Sequence, residues 1–424
     1  VTSTIVQFAT DPIAPWTEPR RTRTARARAE ADSLSVVDVT EFYSDRGGGI
    51  RSHLTARTEL LAAHGHRHTV IASGPRDEDT CVRGSGAGRS RLVRLAGPTM
   101  PYDHTYFLLH RIGTIRERVR SEAPDVLEAH SPYLAAAAIA YCGRSAARLR
   151  TAFWHSDHIG TYVEPALSRH MGERAARAAA APLRQGIRAL LAPFDATFAA
   201  GREQVARLVA AGVRNVIHAP FGVDTHVFRP SAFNADVRRR MLGDAGEGAL
   251  LLVGSGRFAA EKRWDVVLAA LERVRLRRKA VLVLFGDGPE RAALERRAPP
   301  GVFFAGFERD RACLAAALAS ADALVHASPT ETFGLGIAEA VACGTPIVVP
   351  DAGAAAERAD GACGETYKSL DEESCAAAID RLFRQPVAAV RATAYAAATK
   401  ARTVDQHCRD VTKAYHELLR ELRR

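Results

Sequence analysis

Apolar and polar positions fall into short blocks along the chain, and the blocks come in two successive sets. The first set is "LSVVDVT" (34–40), "RHTVIAS" (67–73), "DVLEAH" (125–130), "RTAFWH" (150–155) and "DATFAA" (195–200). Each is followed by a loop or a stretch of helical spacing, of which Ile50–His64 is the clearest. "APFGVDTHVFRP", Ala219–Pro230, breaks the rhythm with Pro, Gly and Asp and marks a domain junction. The second set follows: "ALLLVGSGRF", "AVLVLFGDG", "VFFAGF", "ALVHAS" and "PIVVPD", again separated by helical stretches. Continuously apolar strands alternating with helices predict parallel sheets covered on both faces. The expectation is an α/β chain with two doubly wound domains, 35–225 and 226–400. A C-terminal helix, 401–424, is available to pack back toward the first domain. Ligands of such a chain bind between the domains, at the carboxyl ends of the strands. Residues 1–34 lack periodicity and carry the basic run "RRTRTARAR", so they read as a flexible, solvated arm.

Composition narrows the class. With 424 residues, 47% hydrophobic and 25% charged, the chain is globular and long enough for two cores. No apolar run approaches the roughly 20 residues of a membrane span, and no apolar leader opens the sequence. The seven cysteines form no CxxC pair, which argues against structural zinc or a disulfide framework and for a reducing cytoplasm. The net charge of +10 is mostly arginine and favours anionic partners. The basic stretches Arg111–Arg120 and Arg169–Arg188 suit solvated helix faces and a peripheral contact with anionic lipid equally well.

Chemistry-bearing residues cluster where strands end. "SDRGGGIRSHL" (Ser44–Leu54) is a glycine turn before a helix, able to bring backbone close to an anion, but it matches neither GxGxxG nor the P-loop. "GRFAAEKRWDVVL" places Arg257 at a strand end and Lys262 near the next helix start, where two cations can clamp a diphosphate. Taken alone, such a pair is more often a surface salt-bridge set. "FGDGPE" is a turn with Asp287 in it, structural first and ligand-adjacent second. "TAFWHSDHIGTY" puts His155 just past a strand, followed by Ser156, Asp157 and His158. "ETFGLGIAE" places Glu331 on a loop and Glu339 in an early helix, with the amides of Phe333, Gly334 and Leu335 between them. The acidic run "DED", Asp77–Asp79, reads as a solvated loop rather than a metal site.

"PTETFGLGIAEAVACGTPIVVPDAG" resembles the E-x7-E signature of retaining glycosyltransferases of family 4, which have the GT-B fold of two Rossmann-like domains across a cleft. The resemblance extends from about Val36 to the C-terminus and includes "GGGI", "WHSD", "FGVD", "GRFAAEK" and "FGDGPE", in order. It implies that Gly48 and Gly49 approach the donor and acceptor, and that Arg257 and Lys262 bind the diphosphate. Glu331 would hold the donor sugar, the amides of Phe333, Gly334 and Leu335 would contact sugar or phosphate, and Glu339 would hold the ribose. His155 would lie near the reaction centre, with Asp157 and Asp287 as secondary candidates. Enzymes of this kind need no metal or other cofactor, and the leaving diphosphate takes the acceptor's proton on the same face. "EKR" stands where the family has "EKG", so Arg263 occupies a glycine position.

The resemblance implies a nucleotide-sugar donor, with GDP-mannose favoured over UDP-hexoses because "WHSD" looks mannosyltransferase-like. It implies a lipid, glycan or small-molecule acceptor and a cytoplasmic enzyme, at the inner face of the membrane if lipid is the acceptor. Oligomeric state is left open. The rivals are a UDP-sugar epimerase or glucan synthase of the same fold, and a basic nucleic-acid-binding protein. The last lacks any helix-turn-helix, zinc or RNA-binding aromatic signature, so no nucleic acid is expected.

Overall fold

Strands buried on both faces must be apolar throughout, and the sheets follow from the runs above. In this computed structural model, residues 33–45, 48–82, 88–100, 103–359 and 364–423 are described. The arm, save its last two residues, and Gly47 of the glycine turn lie outside them. The first domain contains β1 (Ser35–Thr40), β2 (Arg67–Gly74), β3 (Glu78–Val82), β4 (Ser90–Ala96), a hairpin of β5 (Thr99–Met100) and β6 (Asp103–Phe107), β7 (Val126–Ala129), β8 (Leu149–Trp154), β9 (Ala196–Ala199) and β10 (Val216–His218). Its main sheet has the order β10-β9-β8-β7-β1-β2-β4-β3, with only β3 antiparallel. Val37 of β1 lies between Thr69 of β2 and Leu127 of β7.

The second domain contains β11 (Leu250–Ser255), β12 (Ala280–Phe285), β13 (Val302–Gly306), β14 (Ala323–Val325), β15 (Ile347–Pro350) and β16 (Gly364–Tyr367). They form one parallel sheet in the order β13-β12-β11-β14-β15-β16. Strand order reverses beside β11, and ligands of doubly wound sheets bind at such switch points. The apolar runs do not reveal β3, β4, β10, β16 or the β5–β6 hairpin. "DED" is solvated, with Asp77 and Asp79 exposed, but it is not all loop: Glu78 and Asp79 sit in edge strand β3. Asp77 pairs with Arg111, and Asp79 with Arg91 and Arg118.

The last helix, Val404–Glu421, opens with a capping box between Thr403 and Gln406, which satisfies two free amides of its first turn. Its buried face, His407, Cys408, Val411, Tyr415 and Leu419, packs on the helix Gly49–Ala63 and on β8 of the first domain. The linker crosses it so closely that a Cβ at Gly222 would lie 2.0 Å from the Thr403 carbonyl, so only glycine fits there. The joint is electrostatic as well as apolar. Arg57, fully buried, donates to Glu128 at 2.7 Å and to Tyr415 Oη at 2.6 Å, and its Nε lies 3.2 Å from Asp38. Tyr415 in turn donates to Glu128 at 2.7 Å. Burial alone would raise both carboxyls. Arg57 together with His130, and for Asp38 also His68, outweighs it, holding Asp38 well below the carboxylate range and Glu128 down at about 2.

Beside this network the rings of His53, His130, His155 and His407 pack with Phe153 and Phe221, at centroid separations of 4.7–6.0 Å. Burial pushes His53 and His155 well below the usual histidine value, His407 to about 3, and lowers His68. For His130 burial works the same way, but Asp38 and Glu128 overcome it and raise the pKa.

Two predictions follow from this joint. Arg57→Leu strands two buried carboxylates and costs about 3–5 kcal/mol, measured by denaturant unfolding; a change under about 1 kcal/mol would refute the network. The histidines give the second. A histidine with a depressed folded pKa contributes stability that is full above about pH 6.5 and is lost as pH falls below it. His53, His68, His155 and His407 have that sign. His130 has the opposite one, its contribution being present at low pH and lost as pH rises through its raised value. The depressed group dominates, so stability falls between pH 7 and 5, by about 2 kcal/mol for each histidine whose folded pKa lies below 5. A thermal melt that is flat or rising toward pH 5 contradicts this.

Candidate functional site

The carboxyl ends of β11 and β14 deliver the second domain's charges. After β11 the chain turns through Arg257 into a short helical turn ending at Lys262. Arg263 then sits at φ 50°, ψ 40°, a left-handed conformation that glycine adopts freely and arginine only at a cost of about 1–2 kcal/mol. Its guanidinium pairs with Asp265 at 2.8 Å, partly offsetting that cost and keeping the turn that aims Lys262. After β14 the loop carries His326, Glu331 and Thr332 before the helix Leu335–Ala342, whose N-cap Gly334 is left-handed at φ 71°.

These two loops meet. The Lys262 ammonium donates to Glu331, and His326 Nε2 lies 3.0 Å from the same carboxylate oxygen. Burial would raise Glu331, but Lys262 foremost and His326 next hold it well below the carboxylate range, so it is ionised. Glu339, inside the helix and buried, pairs with Arg311; here burial wins and raises its pKa. The Arg311 guanidinium lies over the Phe228 ring at 4.7 Å. Phe333 is buried edge-on to Phe221, with Arg358 3.8 Å over its ring and donating to its carbonyl at 2.9 Å.

The first domain reaches the same place. Gly48, at φ 127°, caps the helix Gly49–Ala63, and a Cβ on it would lie 3.3 Å from Tyr106 Oη. A Cβ at Gly49 would meet nothing within 4 Å, so the helix start is open. His155 follows β8, and Thr332 donates its hydroxyl to the His155 carbonyl at 2.6 Å, tying the Glu331 loop to the histidine across the cleft. Arg257 is also engaged across the cleft, by Asp103 of the β5–β6 hairpin at 2.8 Å. The Glu331 loop and His155 are thus joined across the two domains, as are Arg257 and the β5–β6 hairpin.

One candidate points elsewhere and a second is exposed at the surface. Asp157 is buried and pairs with Arg207 at 3.0 Å while accepting from the Gly160 amide, so it builds the turn after β8. Asp287 is exposed beyond β12 and accepts from its neighbour Gly288. Four further groups belong to the cluster and carry no local signal: Asp103, Arg311, His326 and His130, whose Nδ1 is 2.8 Å from His155 Nε2. Each is a single polar residue, and all but His326, which is five residues from Glu331, have a partner distant in the chain. Side-chain nitrogens of His53, His130 and His155 lie within 4.8 Å of one another, as do ligand-type atoms of Asp38, Glu128 and His130. The His130–His155 hydrogen bond and the Arg57 ion pairs already engage most members of both groups.

Comparisons with known proteins give the family and the fold. Residues 47–227 match the family model "Glycosyltransferase Family 4", and residues 249–385 match "Glycosyl transferases group 1". The chain is 33% identical over 346 residues to a GDP-mannose-dependent alpha-(1-6)-phosphatidylinositol dimannoside mannosyltransferase of Mycobacterium tuberculosis, covering 78% of this chain and 84% of that protein. A GDP-mannose-dependent alpha-mannosyltransferase of Corynebacterium glutamicum is 26% identical, with 76% and 73% covered. In three dimensions the chain is similar to sucrose-phosphate synthase from Thermosynechococcus elongatus, with a TM-score of 0.73 at 18% identity over 92% of this chain and all of that one. The chain belongs to glycosyltransferase family 4 and is a glycosyltransferase of the GT-B fold.

Proposed function

We propose that the protein transfers mannose from GDP-mannose to a glycolipid acceptor with retention of configuration. The observation that carries the reading is the Lys262–Glu331 pair on a loop whose Thr332 donates to the His155 carbonyl of the other domain. The donor identity rests on the 33% identical mycobacterial relative, named for GDP-mannose and a phosphatidylinositol dimannoside.

In this reading Arg257 and Lys262 take the diphosphate. As the bond from the anomeric carbon to the phosphate oxygen breaks, negative charge grows on the diphosphate and these cations stabilise it. The acceptor hydroxyl attacks the same face, and its proton passes to the departing phosphate oxygen. Atoms and charge balance without a protein nucleophile or a metal ion. Glu331, freed from Lys262 by the diphosphate, accepts hydrogen bonds from the sugar hydroxyls, and Glu339, freed from Arg311, accepts from the ribose. A lipid acceptor fits the basic helix Glu173–Leu191 and the helix before it. Arg169, Arg174, Arg177 and Arg188 are exposed there, alongside Met171 at 47% and Leu183 at 50%. No helix among the described residues is long and apolar enough to cross a membrane.

The test is turnover with GDP-mannose, UDP-glucose and ADP-glucose against a phosphatidylinositol mannoside in anionic or zwitterionic vesicles. GDP release and a mannosylated lipid, with GDP-mannose alone and faster on anionic vesicles, are expected. Turnover only with a UDP-sugar overturns the donor, and equal rates on both vesicles overturn the membrane contact. Lys262→Ala lowers kcat by about 10²–10³-fold. It also lowers the melting temperature, because Glu331 loses its main counter-ion, while the circular dichroism spectrum at 25 °C is retained. Wild-type turnover in this variant removes Lys262 from the site.

A further inference from the structure

His155 has no carboxylate of its own. Its Nε2 lies 2.8 Å from Nδ1 of His130, and its Nδ1 makes no hydrogen bond among the described residues. His130 is completely buried, and its far nitrogen, Nε2, lies 3.3 Å from both Asp38 Oδ2 and Glu128 Oε1. Neither approach has hydrogen-bond geometry, but two ionised carboxylates repel a ring lone pair and attract an N–H, so Nε2 of His130 carries a proton. Two buried carboxylates face a single guanidinium, Arg57, which leaves one negative charge uncompensated. Isolated buried charge is costly, and the ring lying between both carboxylates is placed to balance it as an imidazolium. His68, the other imidazole on Asp38, touches only that carboxylate, through Nε2 at 2.7 Å. An imidazolium at His130 has a proton on Nδ1 as well, directed at His155.

We propose that His130 is a positioning residue for glycosyl transfer: it donates Nδ1–H to Nε2 of His155, so that His155 keeps its own proton on Nδ1 and offers that N–H to the donor sugar. The inference rests on the reading that His155 lies at the donor sugar. It explains why a charged group is buried behind a ring that has no carboxylate of its own. It also gives the Arg57 network a second consequence: the residues that fasten the last helix to the first domain fix the tautomer at the reaction centre. Burial and the neighbouring imidazolium both keep His155 neutral, consistent with a ring that donates one hydrogen bond and accepts another.

The test has a spectroscopic arm and a kinetic arm. Nitrogen-15 spectra of the histidine-labelled wild-type chain, with His155→Gln for assignment, should show His155 as the Nδ1–H tautomer and His130 doubly protonated at pH 7. His155 as the Nε2–H tautomer overturns the proposal. Kinetically, His130→Leu should lower kcat about 100-fold, the scale of a misplaced catalytic group, with KM for the donor and Kd for GDP unchanged. His130→Asn, whose amide nitrogen can stand in for Nδ1, should recover at least tenfold of that loss. Wild-type kcat in His130→Leu, or equal impairment of both variants, overturns positioning. His155→Ala separates the two ideas. If it turns over normally, the reading of the site fails. If it is inactive while His130→Leu is normal, only this inference fails.

Discussion

A carboxylate buried at the mouth of a parallel sheet stays ionised only beside a cation, and Glu331 has Lys262. The same logic recurs around the opening. Glu339 has Arg311, and Arg257 has Asp103 from the other domain. Each charged group assigned to the donor is therefore held by an internal counter-ion. In the proposed reading a nucleotide sugar would satisfy the same charges by exchange, its diphosphate replacing the carboxylates at Lys262 and Arg257. The charges lie in the cleft because both sheets end there, and the sheets end there because parallel strands leave their loops at one edge.

The two halves are held in register by a second set of charges, deeper in the fold. Arg57 binds Asp38, Glu128 and Tyr415, joining β1, β7 and the last helix. The last helix follows the second domain in the chain but packs on the first, so the connection crosses the domain boundary twice. The imidazole stack lies between this network and the cleft, and His130 belongs to both. Stability and site geometry therefore share residues.

The fold was legible where strands are buried on both faces, because such strands cannot hide their composition: β1, β2, β7, β8, β9, β11 and β12 all announce themselves as apolar runs. The edge and short strands did not. β3 contains Glu78 and Asp79, and β16 pairs on one side only, so neither needs a continuous apolar run. The residues at the site were legible through spacing and resemblance, Glu331 and Glu339 above all. Two of the counter-ions were not: Arg311, which pairs with Glu339, and Asp103, which pairs with Arg257, come from segments distant in sequence and no local pattern links them. Asp157 looked like a site residue from its neighbours, yet its side chain is turned to Arg207. Arg263 at a family glycine position put the turn in question; the turn is kept, at a left-handed angle with Asp265 alongside.

A crystal structure with GDP bound tests the central claim most directly. The account predicts the β-phosphate on Lys262 and Arg257, with Asp103 displaced from Arg257, Glu331 turned from Lys262 toward the empty sugar position, and the ribose hydroxyls on Glu339. A diphosphate bound elsewhere, with the Lys262–Glu331 and Arg257–Asp103 pairs intact, would contradict it.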